Sequence, residues 1–408
     1  MNLENPSQPI NAEGPLPSVE TLIARARAMV PALRAMGRAH DDSARVSDAA
    51  MALLREAGFF RIVQPRSTGG FGMHLRVLWE VAREITRADT ATGWILCLAG
   101  VHPWLVGMFT TRAQDEVFHQ GTDAVVPVLS GGVGRDVTVQ LTVDGYTVSG
   151  RWLYASGIEV ADWVCVMIPV PATGEVQAHQ RLALVPRTAF EIDQQSWRVA
   201  SMRGTGSKDV RLQNCIIPAY RTISWSDAQA GIYPGSTRNT GAMYRLPLNA
   251  VFALSTAMGV VGGAYGLLDS VVELGRKRIA NANQAAQGND TFNQAELGQC
   301  ASMVHMAYQL LIADVDEMFA QAEQNTAFTQ EQRARYRADA ATAARTAVGA
   351  SERIVVTCGG ALLPEGPLER AFRDVHGMAS HFLLQPHVGG ELYGKALYGV
   401  AIPASIRL

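Results

Sequence analysis

The chain has 408 residues, 48% of them hydrophobic and 18% charged, which is long enough for two or three domains and apolar enough to favour self-association. A net charge of −2 with no Lys/Arg run gives nucleic acid and anionic membranes no electrostatic hold on it. Five scattered cysteines without a CxxC pair point to reduced thiols in the cytoplasm, acting as small core residues, and not to disulfides or structural zinc.

The first twenty residues have neither the basic nor the apolar region of a secretory signal and read as a loose arm. From about Val19 to Gln120 the spacing of Ala, Leu and Met is helical, and Ser47 caps a helix that stops at Gly58. A Gly-rich turn at 69–72 precedes a helix over 74–88, and the polar cluster Asp89-Thr90-Ala91-Thr92 caps a very apolar, buried helix from Gly93 onward. The longest apolar run, 91–106, is interrupted by His102, Pro103 and Trp104, so no membrane span is expected.

Around Ala124 the texture changes to short runs rich in Val, Thr, Tyr and Trp, separated by turn residues, which predicts an antiparallel sandwich or barrel of roughly 110 residues. A Gly/Ser/Thr-rich joint at 231–240 leads into long helices over about 246–280, 292–324, 331–359 and 368–384, enough for an up-and-down four-helix bundle. The expected layout is an α+β chain with a helical domain over 1–123, a β domain over 124–240 and a helical bundle over 241–408.

The stretch 148–163, VSGRWLYASGIEVADW, concentrates aromatic rings and a hydroxyl. In a strand, Trp152, Tyr154 and Ser156 alternate onto one face. That face suits a planar, hydrogen-bonding cofactor, although a strand burying aromatics in the core has the same pattern. Gly204 and Gly206 resemble a phosphate-cradling loop, but they lie between strands and read as a tight turn. His102, His376, His381 and His387 have no carboxylate at ligand spacing, so no metal site is expected.

A β segment between two helical ones resembles the acyl-CoA dehydrogenase superfamily, and the motifs agree with it. Residues 129–136, LSGGVGRD, resemble its first flavin-contacting turn, with Ser130 at the hydroxyl position; 148–163 resembles the second, with Ser156 there. Residues 203–210, RGTGSKDV, are similar to its Arg-Gly-Thr strand entry, and 358–374 to its C-terminal signature. A dehydrogenase of this superfamily needs a carboxylate base, yet no Asp or Glu follows Arg373-Asp374 before Glu391, and 247–268 has none.

The flavin-dependent monooxygenases of this fold, such as 4-hydroxyphenylacetate hydroxylase oxygenase components, are the better likeness: His381 follows Arg373-Asp374, and His102 lies eight residues beyond Trp94. The resemblance implies a two-component enzyme that takes reduced FMN or FAD from a separate NAD(P)H-dependent reductase, forms a C4a-hydroperoxyflavin with O2, and hydroxylates a phenol or other electron-rich aromatic. It implies Ser156 and Ser130 at the flavin edge, Trp94 and Trp152 as a dry wall, and Arg245 and Arg278 as candidates for the flavin phosphate. His381, with a pKa near neutrality, is the expected base and His102 the flavin or peroxide partner, with the roles open to exchange and His376 competing. The substrate pocket is expected along 246–255 and after His381, and a homotetramer is implied. Alternatives within this frame are N- or S-oxidation and an acyl-CoA dehydrogenase or oxidase; a non-catalytic bundle that has lost its cofactor is a third class.

Overall fold

The computed structural model describes residues 16–132, 134–174, 176–281, 290–403 and 406. The arm expected over the first twenty residues lies mostly outside them.

The N-terminal segment is helical: α1 (Val19–Ser43), α2 (Asp48–Glu56), α3 (Leu75–Ala88), α4 (Thr90–Ala99), α5 (His102–Val106) and α6 (Thr111–Val117). The caps fall where polar side chains can accept the first free N–H groups. Ser47 accepts from Ala50 N, and Asp89 accepts from Thr92 N, so α4 begins at Thr90, three residues earlier than the apolar run suggests.

Among the described residues eight strands follow: β1 (Val128–Leu129), β2 (Arg135–Thr142), β3 (Gly145–Ala155), β4 (Trp163–Val170), β5 (His179–Pro186), β6 (Glu191–Asp193), β7 (Lys208–Pro218) and β8 (Thr222–Ser224). They form two four-stranded sheets, ordered β1-β4-β5-β8 and β2-β3-β7-β6. Expected as wholly antiparallel, the first sheet contains one parallel pair, β1 with β4; the chain runs from β1 through β2 and β3 in the other sheet before returning as β4, and such a crossover brings a strand back in the same direction. In β4 alternate residues serve two cores. Val164, Val166 and Ile168 join the cluster between the sheets, while Cys165 and Met167 join the helical core, which explains why the whole strand is apolar.

The joint expected at 231–240 is packed structure: a 3₁₀ turn over Pro234–Thr237 is tied to the N-terminal helices by Gly235 N donating to Met108 O at 2.9 Å. Beyond a short α7 (Trp225–Gln229) come α8 (Leu248–Ala280), α9 (Thr291–Glu323), α10 (Gln330–Val355), α11 (Pro367–Ala379) and α12 (Pro386–Leu397). Helix α8, not 91–106, carries the longest apolar stretch, long and apolar enough to cross a membrane by length and composition; 94% of its most apolar window is buried within the protein. It runs through one hydrophobic core shared with α3, α4, α10 and α11. Gly259 permits this: a Cβ there would lie 2.9 Å from the Trp94 ring, so only glycine lets α8 close on the indole.

Candidate active site

A cavity of about 780 Å³ opens where α4–α5, the β1–β2 turn, the end of β3, the 197–207 loop and the end of α11 meet. Trp94, His102, Trp152, Ser156 and His381 all line it, drawn from three stretches of chain, 94–102, 152–156 and 381. Its size suits a cofactor with a small substrate, and none of its described lining residues is Asp or Glu.

The hydroxyl side is built from the end of β3 and the turn before β7. Trp94 Nε1 donates to Ser156 Oγ at 3.1 Å, Ser156 Oγ lies 2.7 Å from Ser207 Oγ, and Ser207 Oγ lies 2.7 Å from Thr205 Oγ1. Trp152 is 1% exposed and donates its indole N–H to Met167 O at 2.9 Å. Ser207 and Thr205 were not singled out from sequence, where RGTGS read as a turn; the turn is real, a 3₁₀ helix over Arg203–Thr205 closed by Gly206 at φ 52°.

The single-face reading of Trp152, Tyr154 and Ser156 is corrected. The β3–β7 register shifts between Trp152 and Ala155, and Tyr154 sits at φ 67° and is 64% exposed while Trp152 is buried. All three line the cavity, but not as one regular strand face, and Tyr154 meets Trp197 edge-on at 6.1 Å. Met202, another lining residue, also adopts a left-handed conformation, φ 59°. Such strain persists only where neighbours enforce it, and two buried aspartates do so: Asp209 Oδ1 accepts from Tyr154 N at 3.3 Å, and Asp374 Oδ1 accepts from Met202 N at 2.6 Å.

Both histidines are neutral. His102 is buried, its Nδ1 lies 2.6 Å from Val126 O, and withdrawal from water pushes its pKa down to about 3. Because a carbonyl only accepts, Nδ1 carries the proton and Nε2 keeps a lone pair. His381 is the reverse: its Nδ1 accepts from Leu383 N at 3.3 Å, so the neutral ring carries its proton on Nε2. Withdrawal from water, with the Arg337 guanidinium nearby, lowers its pKa to about 4. The expected near-neutral base is thus replaced by two neutral rings of opposite hydrogen-bonding sense. His376 does not line the cavity; it bonds to Phe372 O at 2.8 Å and approaches Glu352 at 3.3 Å.

Other expectations move. Ser130 lies between Leu129 and Gly131, which line the cavity, without lining it itself. Arg245 donates to Ala322 O and Thr240 O and borders a second cavity with Leu246. Arg278 donates to Thr357 O and Cys358 O, 2.8 and 2.7 Å away, at a third. Neither arginine reaches the cavity of its own chain, and 246–255 does not line it. Arg135, unnoticed in the sequence, is the one Lys or Arg among the described lining residues; only its place in LSGGVGRD could have marked it.

The donor set fits a flavin: buried indoles for the ring, a hydroxyl held at its edge, and a cation at the margin. Residues 254–386 match the acyl-CoA dehydrogenase C-terminal domain family. The chain is 30% identical over 381 residues to the flavin-dependent monooxygenase oxygenase subunit HsaA of Rhodococcus jostii RHA1, covering 93% of this chain and 98% of the relative. It is 27% identical to the FADH2-dependent resorcinol hydroxylase oxygenase component of a Rhizobium species, covering 93% and 94%. The crystal structure of 3-HSA hydroxylase from Rhodococcus sp. RHA1 superposes with a TM-score of 0.88 at 29% identity, covering 94% and 98%. With identity of this extent over nearly the whole of both chains, and a fold and site to match, the chain belongs to the flavin-dependent monooxygenases as an oxygenase subunit.

Proposed function

We propose that this chain hydroxylates a phenol or another electron-rich aromatic in the 780 Å³ cavity. The reduced flavin comes from a separate NAD(P)H-dependent reductase, as the naming of its relatives as oxygenase subunits and components supports. The carrying observation is the pair of neutral histidines of opposite sense on one carboxylate-free cavity. Reduced flavin, when bound, supplies the two electrons that split dioxygen, one oxygen atom going to the substrate and the other to water.

The protein's part is to bind, orient and exclude water. Trp94 and Trp152 give the dry wall; Ser156 would hold the flavin at N5 and Arg135 would hold its phosphate. The tautomers favour exchanging the roles expected for the histidines. His102, with its lone pair on Nε2, accepts a hydrogen bond from the phenol hydroxyl, which orients the ring and raises its electron density; His381 would offer its N–H to the flavin or to dioxygen. Reduced FAD is the preferred form, by analogy with the resorcinol hydroxylase relative. The absence of Asp and Glu from the described lining residues weighs against α-proton abstraction from a thioester. Exposed apolar side chains on and after the bundle helices, such as Met306, Val356, Leu363 and Leu397, support assembly into a homotetramer, and five buried free thiols support a cytoplasmic setting.

The test mixes anaerobic protein and reduced FAD with labelled dioxygen and a panel of phenols. Substrate-dependent label in a hydroxylated product is expected; flavin oxidation at the free-solution rate, with unlabelled phenols, overturns the reading.

A further inference from the structure

Thr205 lies behind the cavity wall, 1% exposed, and Ser207, 4% exposed, stands in the wall beside Ser156. A hydroxyl carries one hydrogen and two lone pairs. Thr205 donates its hydrogen to Met202 O at 2.8 Å, so its 2.7 Å contact with Ser207 Oγ must use the Ser207 hydrogen. The 2.7 Å contact between Ser207 Oγ and Ser156 Oγ must then use the Ser156 hydrogen. One lone pair on Ser156 Oγ takes the Trp94 indole N–H at 3.1 Å. What Ser156 has left for a ligand is a lone pair and no hydrogen.

We propose that Thr205 and Ser207 are positioning residues that fix Ser156 as an acceptor towards the cavity, and that this polarity makes the site select reduced over oxidised flavin. The proposal rests on the reading of Ser156 as the partner of flavin N5. Reduced flavin has a hydrogen on N5 and can donate to Ser156. Oxidised flavin has a lone pair there, which would face the lone pair of Ser156. The sense is the one an oxygenase subunit needs if it takes reduced flavin from solution and releases it oxidised.

Binding of oxidised FAD in air and of reduced FAD under anaerobic conditions, measured on the full chain, tests this without turnover. Thr205→Val keeps the side chain's shape but removes the fixed end of the chain, and Ser207→Ala removes its middle, so in both the Ser156 hydrogen is free to turn to the cavity. In each variant oxidised FAD should bind more tightly and reduced FAD no better. The ratio of oxidised to reduced Kd then falls about tenfold, and the midpoint potential of bound flavin falls by about 30 mV; Thr205→Ser restores both. General damage to the site would weaken both forms together. An unchanged ratio in Thr205→Val and Ser207→Ala, with reduced-FAD binding weakened in Ser156→Ala, overturns the polarity and leaves Ser156 at N5. Unchanged affinity for both forms in Ser156→Ala overturns the placement of Ser156 and the proposal with it.

Discussion

Trp94 and Ser156, 62 positions apart, are joined by the indole N–H donating to the hydroxyl at 3.1 Å, so a buried helix and the end of a strand share one cavity wall. Trp94→Phe keeps an aromatic ring and removes that donor. Losing one neutral hydrogen bond costs about 1 kcal/mol, so reduced-flavin affinity should drop roughly fivefold in an anaerobic titration. A similar loss in the Trp94→Phe, Ser156→Ala double variant as in Ser156→Ala alone would confirm that the indole acts through Ser156.

Arg135 should discriminate flavins by their phosphate. Arg135→Ala is expected to weaken reduced FMN by about tenfold, the weight of a charge-assisted bond, and to leave reduced riboflavin nearly unaffected. Equal losses for both ligands would place the phosphate elsewhere. Arg245→Ala, away from this cavity in its own chain, is the comparison.

His102 gives stability a defined pH dependence. The unfolded chain binds a proton at the ordinary histidine pKa of about 6.5, whereas the folded protein resists it down to about 3. Stability from this group is therefore complete above about pH 6.5 and lost progressively as pH falls towards 3. Between pH 6.5 and 5 the contribution lost is about 1–2 kcal/mol. His102→Gln, which does not titrate, should lose correspondingly less stability over that interval in denaturant titrations at each pH. The same variant should cut hydroxylated product by on the order of 100-fold while flavin oxidation continues.

Asp374 is a structural clamp for the site. It is 2% exposed and accepts from Thr90 Oγ1 and from Met202 N, each at 2.6 Å, tying α11, α4 and the 197–207 loop together. Asp374→Ala leaves two buried donors without their acceptor and should destabilise the chain by about 3 kcal/mol, seen as a lowered melting temperature. Because Met202 is held left-handed by this contact, reduced-flavin binding should weaken even at temperatures where the variant is fully folded.

Much of the architecture was legible because it is decided by near neighbours. The Ser47 and Asp89 caps, the apolar run of α4 and the change near Ala124 to short Val-, Thr- and Tyr-rich runs each depend on a few adjacent residues. The motifs also located the cavity, since Trp94, His102, Trp152, Ser156 and His381 all border it. Contacts between distant residues were not legible. Asp374 holding Met202 across 172 positions and the parallel pairing of β1 with β4 leave no local pattern. Neither does the bulge that turns Tyr154 away from Trp152.

What the sequence by itself determined is the α-β-α order and the residue types that chemistry needs, because periodicity, caps and motifs are written in neighbouring positions. Only the tertiary structure decided the histidine tautomers, the sense of the Thr205–Ser207–Ser156 chain and the displacement of Arg245 and Arg278 from the cavity. These depend on which carbonyl or hydroxyl lies within 3 Å or so and on how much water is excluded, and both are set by segments brought together only on folding.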